Sequence, residues 1–180
     1  YYVNDAGNQV NNLAISVEMR FQELQGAQLV FSTKQEDGTY VLPDVIPDGA
    51  LIFPDNGYRG PDIIKTAKDI VAKEGFDKLN AMSREERIAY FKEQAVPEKL
   101  EDIKQTLANF NIKMDAYFSE KSLYATDEVK MAVEELKNLG HIYEKDGALW
   151  FRTTSFGDDK DRCVIRDNGV PTYFAADIAY

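Results

Sequence analysis

An α/β fold interrupted by a mostly helical stretch is what this sequence predicts, on three observations. A strand runs directly into an amphipathic helix at the start. Helices with readable start and stop signals fill the middle to about Gly140. Strands then return before the chain ends on a second strand-to-helix switch. Strands alternating with helices point to sheet-and-helix layers rather than to an all-helical or all-strand fold.

Tyr1 to Val3 reads as a buried strand end, and Asn4-Asp5-Ala6-Gly7 as a turn and helix start with Asp5 as N-cap. Leu13, Val17, Phe21 and Leu24 recur every three or four residues, giving an amphipathic helix that ends at Gly26. Between Ala27 and Gly60, Leu29 to Ser32 and Tyr40 to Leu42 flank Glu36-Asp37-Gly38, as in a small hairpin. Pro43, Pro47, Pro54, Gly49 and Gly57 then favour loop, with Ala50 to Phe53 as one short strand. Tyr58-Arg59-Gly60 is expected to serve structure rather than chemistry.

Pro61 suits a helix N1 position, and Ile63, Ile64, Ala67, Ile70 and Val71 form one face before Gly75 closes it. Ser83 with Glu86 three residues on is a capping box for a second helix, which Pro97 is expected to end. Pro97 would then open a third, striped by Leu100, Ile103, Leu107 and Phe110. A fourth begins at Thr126, with Asp127 and Glu128 in its first turn, faces inward through Val129, Ala132, Val133, Leu136 and Leu139, and stops at Gly140.

Ile142 to Phe151 reads as a hairpin turning on Asp146-Gly147. The last two dozen residues, Gly157 to Tyr180, contain a charged turn, the apolar run Cys163-Val164-Ile165 and an Asn168-Gly169 hairpin signal. Val170 to Phe174 reads as the return strand, with a helix opening at Ala175.

With 44% hydrophobic residues among 180, the chain has the material for a real core. Its net charge of -10 repels polyanions and argues against general nucleic-acid binding, DNA included. One cysteine, Cys163, excludes an internal disulfide and suits a reducing compartment, hence a cytoplasmic location. No apolar run approaches a membrane span. One histidine and one cysteine leave no material for zinc finger-like sites or His-dependent triads. His141 reads as a surface or interface residue. Both ends look cut, which suggests an excised piece of a longer protein.

Three stretches carry a resemblance. FGDDKDRCVIRDNGVPTYFAADIAY at the end, YYVNDAGNQ at the start and YFSEKSLY (Tyr117 to Tyr124) between them all resemble the catalytic domain of arginyl-tRNA synthetases, in the same order. That resemblance implies part of a Rossmann-like, class I synthetase catalytic domain. Residues 1-26 would be a strand-helix unit, 27-140 a mostly helical insertion, and 141-180 the returning strands and the start of the arginine-site helix. It implies a ligase of protein biosynthesis that activates L-arginine with ATP and Mg²⁺ as arginyl-adenylate and transfers it to tRNA(Arg). The HIGH-like and KMSKS-like motifs that handle ATP in such enzymes are absent from residues 1 to 180. The piece alone is therefore expected to be inactive and to bind no ATP tightly. A non-catalytic helical interaction module is the competing reading.

In the resembled family, the Tyr and Asp matching Tyr173 and Asp177 contact the side chain of bound arginine. The chemistry suits them: a planar guanidinium wants a fixed carboxylate for a two-pronged bond and an aromatic beside it. The bland reading makes Tyr173 a core aromatic and Asp177 a helix cap. Asn4, Asp5, Gly7, Asn8 and Gln9 crowd polar groups where the first strand ends. The resemblance places this turn beside the adenylate site, with Asn4, Asp5 and Gln9 as arginine-binding candidates. Asp158, Asp159 and Asp161 could suggest Mg²⁺, but the interleaved Lys160 and Arg162 favour a solvated turn.

Overall fold

The structure, a computed structural model, describes residues Tyr1 to Tyr180. In chain order the elements are β1 (Tyr2–Val3), α1 (Gly7–Leu24), β2 (Leu29–Val30), β3 (Thr33–Lys34), β4 (Tyr40–Val41) and β5 (Leu51–Ile52). Next come α2 (Pro61–Glu74), α3 (Phe76–Asn80), α4 (Arg84–Asn109), β6 (Phe118–Ser119), α5 (Glu120–Ala125) and α6 (Glu128–Asn138). The chain ends with β7 (Ile142–Lys145), β8 (Ala148–Phe151), β9 (Arg162–Ile165) and α7 (Tyr173–Ala179). Two compact units result: a central one, Ala6–Lys113, and a terminal one combining Tyr1–Asp5 with Met114–Tyr180.

In the central unit, α1 packs against α2 and α4. Val17, Phe21, Ile63, Ala67, Ile70, Leu79, Phe91 and Ala95 form its core, with the Phe21 and Phe91 rings edge to face at 5.5 Å. The capping box at the start of α4 forms, Glu86 N–H donating to Ser83 Oγ and Ser83 N–H to Glu86 Oε2. Gly75 takes φ +79 after α2, a conformation that favours glycine.

At the centre of this core lies a pair that the periodicity did not announce. Glu18 is fully buried and Arg87 nearly so. Arg87 Nε and Nη2 each donate to the Glu18 carboxylate at 2.8 Å, and Nη1 donates to the carbonyls of Leu79 and Met82. Gln22 Nε2 donates to Glu18 Oε1 at 2.9 Å, and the guanidinium lies 5.0 Å from the Phe21 ring centroid. The pair survives burial because it is two-pronged, Nη1 meets two backbone carbonyls and Gln22 donates to the carboxylate.

Pro97 does not divide the helix: α4 is continuous from Arg84 to Asn109. A helical proline forfeits one amide bond and crowds the preceding turn. Ties to α2 hold the following turn in helical register: Thr66 Oγ1 donates to Glu98 Oε1 at 3.1 Å, and Lys99 Nζ lies 3.2 Å from Asp62 Oδ2.

The expected small hairpin forms with other arms. Thr33–Lys34 pairs with Tyr40–Val41, while Leu29–Val30 pairs in parallel with Leu51–Ile52. The loop beyond is organised by side chains rather than by strands. Ser16 Oγ accepts from Tyr58 N–H at 2.8 Å, and Arg59 donates to Ser32 O and Oγ.

Glu74 gives a pH-dependent test of this unit. It is ion-paired with Lys78, and Tyr90 donates to it at 2.6 Å. The Lys78 hydrogen bond, then Tyr90, brings its carboxyl down to about 2, and the same contact pushes the Tyr90 phenol up to about 12. A carboxylate depressed in the folded state stabilises above its unfolded pKa and loses that contribution as pH falls. The stability difference between the chain and Glu74→Gln should therefore be full above pH 4.5 and vanish between 4.5 and about 2, measured by urea unfolding.

In the terminal unit, β1 lies parallel to β6 with Tyr2 opposite Phe118 and Val3 opposite Ser119. β7, β8 and β9 form an antiparallel sheet in that order. The β7–β8 hairpin turns at Asp146-Gly147, with φ of 53° and 75°, as the sequence predicts. The core is Leu123, Val129, Val133, Ile142, Val164, Ala175 and Ala176. Leu139, expected inward on α6, is 61% exposed.

The return strand after Asn168-Gly169 shrinks to a single bridge, Ile165 to Pro171. Pro171 has no amide to extend a ladder. Thr172 N–H and Oγ1 instead bond back to Val164 and Cys163 carbonyls, and α7 starts at Tyr173, two residues earlier than expected.

Candidate functional site: an acidic cluster at a parallel strand edge

Because β1 and β6 run parallel and side by side, the residues that follow them leave the sheet at the same edge. Asn4 and Asp5 follow β1; Glu120 follows β6 and opens α5. Carboxyl ends of adjacent parallel strands are where open α/β sheets place ligands.

Asp5 does not cap its own helix. Ala6 holds the N-cap position of α1 in extended backbone, with no side-chain cap. The Asp5 carboxylate accepts instead from Ser119 Oγ at 2.6 Å and Lys121 N–H at 2.8 Å, capping α5. The extended backbone at Ala6 separates Asp5 from the first turn of α1, while the β1–β6 register brings α5 beside it.

Asp177 lies one turn after Tyr173 on α7, and both are exposed. Thr172 holds the N-cap position, so Asp177 is well inside the helix and is not its cap. Its charge reaches Tyr2, Glu120 and Tyr124. Burial raises the Glu120 carboxyl above the usual range; Asp5 and Asp177 add to the rise, and Tyr2 opposes it. Burial, with Glu120 and Asp177 next, also pushes up the Tyr2 and Tyr124 phenols. The charges of Asp5 and Asp177 thus both act on Glu120, and two phenols share the same field. Tyr124 also lines a groove of about 390 Å³ formed by Leu123, Val133, Leu149, Ile165 and Pro171.

The other sequence candidates are placed differently. Tyr173 is 76% exposed, not a core aromatic, and its electrostatic neighbour is Arg162. Asn4 is exposed after β1, and Gln9 is exposed in the first turn of α1, in the central unit. Arg162 takes up Asp158 with two bonds of 2.7 Å and Asp159 with one of 2.9 Å, holding Asp158 well below the usual carboxylate range. Asp161 accepts from Thr154 and Tyr143. These three aspartates are hydrogen-bonded turn residues. No group of His, Cys, Asp or Glu side chains has metal-holding geometry. His141 is half-buried, 5.1 Å from the Phe156 ring.

Sequence reasoning passed over Glu120, Tyr2 and Tyr124. Glu120 was within reach, since it sits in the same YFSEKSLY stretch and at a strand-to-helix switch. The phenols carry no local signal; only the β1–β6 register brings Tyr2 to the cluster.

A partly buried carboxyl, Glu120, with the charges of two aspartates acting on it and phenols nearby, is complementary to an organic cation. Comparison with known proteins gives this geometry a context. No family model matches the chain. All 180 residues are 44% identical to the arginine-tRNA ligase of Carboxydothermus hydrogenoformans and 41% identical to that of Bacillus subtilis. The chain spans 28% of the length of these curated relatives. A crystal structure described as an arginyl tRNA synthetase from Campylobacter jejuni matches with a TM-score of 0.73 and 35% identity, covering the whole chain and 34% of that protein. This mixed helix-and-strand structure therefore resembles part of such a protein. No helix is long and apolar enough to cross a membrane. From end to end, the chain is homologous to one segment of the arginine-tRNA ligases.

Proposed function

We propose that this chain is the part of an arginine-tRNA ligase that reads the arginine side chain. The observation that carries the reading is that Asp5 and Glu120 follow adjacent parallel strands, with Asp177 on α7 and the phenols of Tyr2 and Tyr124 acting on the same carboxyl or sharing its field. Two roles follow. Glu120 and Asp177 present carboxylates to the guanidinium, and Asp5, already engaged by α5, fixes the strand end. Tyr173, one turn from Asp177, lies open to a ligand; Asn4 is the candidate for the amino acid's backbone groups, with Gln9 proposed alongside it from the resemblance.

In the whole enzyme, arginine would attack the α-phosphate of ATP, releasing pyrophosphate, and tRNA(Arg) would take the arginyl group from the adenylate. The acidic cluster suits a cation and repels a triphosphate. ATP, Mg²⁺ and tRNA handling are accordingly assigned to the parent enzyme, and the 180 residues alone to binding without catalysis. The same reading makes the chain part of a Rossmann-like catalytic domain with residues 27-140 as its helical insertion, in a cytoplasmic enzyme.

An NMR titration with L-arginine, citrulline and lysine tests the binding claim. Citrulline keeps the shape and loses the charge; lysine keeps the charge and loses the fork. Arginine should shift resonances of Glu120, Asp177, Tyr2 and Tyr124 and bind at least about tenfold more tightly than citrulline, since a charge-assisted hydrogen bond is worth about 1.5–3 kcal/mol. Equal response to all three ligands, or none in a folded sample, would overturn the reading.

A further inference from the structure

Thr172 holds the N-cap position of α7, where a threonine ordinarily accepts a hydrogen bond from an amide of the helix's own first turn. Its side chain makes no such bond. The half-buried hydroxyl turns back onto β9 instead. Oγ1 donates to Cys163 O at 2.8 Å, with Val164 O as a longer second acceptor at 3.3 Å, and Thr172 N–H donates to Val164 O at 2.9 Å. The residue that opens the helix is thus tied to two consecutive carbonyls of a strand. A helix of seven residues is too short to stand by itself, so its place depends on what holds it. Ala175 and Ala176, both buried, set how closely α7 lies against α6 and β9. The bonds of Thr172 are directional, and they fix where the first turn begins. Tyr173 follows at once, and Asp177 lies four residues further along the same helix face, both exposed.

We infer that Thr172 is a positioning residue for the guanidinium pocket: its hydroxyl, given to β9 rather than to a helix cap, anchors the start of α7 so that Tyr173 and Asp177 stand at a fixed place and angle. A two-pronged bond to a guanidinium needs that fixity, because a carboxylate slightly shifted or rotated meets one prong instead of two. A cap made within the helix would stabilise α7 without setting where it stands, whereas a bond to the strand does set it. Pro171, just before, has no amide, so the donors at this end of the segment are those of Thr172. This inference rests on the proposed arginine site for the identity of the ligand, but not for the anchoring of α7 itself.

Thr172→Val keeps the shape and the backbone bond and removes only the hydroxyl, while Thr172→Ser keeps the hydroxyl and loses a methyl group. In the free chain, residual dipolar couplings of Tyr173 to Asp177 should change in Thr172→Val and stay near their original values in Thr172→Ser. Arginine affinity, measured well below the melting temperature of each chain, should fall about tenfold in Thr172→Val, as for a fork reduced to one prong. It should be kept in Thr172→Ser. Lysine, a point charge that makes no fork, should bind all three chains alike. Unmoved couplings in Thr172→Val overturn the inference, as does an equal loss of arginine affinity in the two variants, which would mean that packing and not the hydroxyl holds α7. An equal fall for lysine and arginine overturns it too. Couplings that move only in Thr172→Val, in a chain that binds no arginine, keep the anchoring role and reject the arginine site. Unchanged arginine affinity in Thr172→Val, with the original sequence binding well, rejects the inference and leaves the site standing.

Discussion

Arg87→Met should destabilise the chain by about 3–5 kcal/mol, the cost of stranding one partner of a buried ion pair. Glu18 is fully buried, and without Arg87 its carboxylate keeps Gln22 Nε2 at 2.9 Å and Arg84, whose Nε is 4.0 Å away and whose side chain is 55% exposed. Two backbone carbonyls, Leu79 and Met82, lose a donor at the same time. Against a total stability of about 5–15 kcal/mol, this is enough to leave much of the population unfolded at physiological temperature. The double variant Glu18→Leu with Arg87→Met should recover most of the loss, because replacing both charges by apolar groups removes the stranded carboxylate. Urea unfolding of the three chains decides the matter. A single variant within 1 kcal/mol of the original would mean that Glu18 finds water or protonates at little cost.

Asp177→Asn should have the opposite profile, with binding lost and stability kept. Once the ligand covers Asp177 the pair is buried, and removing one partner of a buried hydrogen-bonded charge pair typically costs about 2–5 kcal/mol, which abolishes detectable binding of a weak ligand. The side chain is exposed and well inside α7, so no cap is lost and the isosteric amide fits. Removing its charge also relieves Glu120, whose carboxyl should then titrate lower, because Asp177 is one of the groups holding it up. Arginine titrations and thermal melts of the two chains check both halves. Retained arginine affinity in a folded Asp177→Asn chain would show that Glu120 alone meets the guanidinium.

Much of the local structure was legible in the residues. Pro61 and Gly75 mark the ends of α2; Ser83 and Glu86 close their capping box; Asp146-Gly147 turns its hairpin. Each of these signals acts within a few residues, through a missing amide, a tolerated positive φ or a side chain reaching the next turn. Pro97 misled for a related reason. Its local penalty is real, but α4 continues because contacts from α2 hold the turn beyond it. Val170 to Phe174 misled in the same way. Thr172 bonds back to β9, Pro171 adds no donor, and the residues from Tyr173 are free to begin a helix.

The site divides along the same line. Residue types and order alone identified Asp5, Tyr173 and Asp177 as polar groups at strand-to-helix switches, along with the start, stop and face of most helices. Tertiary structure decided which of them meet. Asp5 finds its Ser119 partner 114 positions away, and Arg87 reaches Glu18 across 69. Tyr2 and Asp5 come beside Glu120 because β1 and β6 lie side by side. Helix caps and turns are closed by neighbours along the chain and can be read from it, whereas a charge cluster is assembled by strand register and packing, whose partners no local spacing encodes.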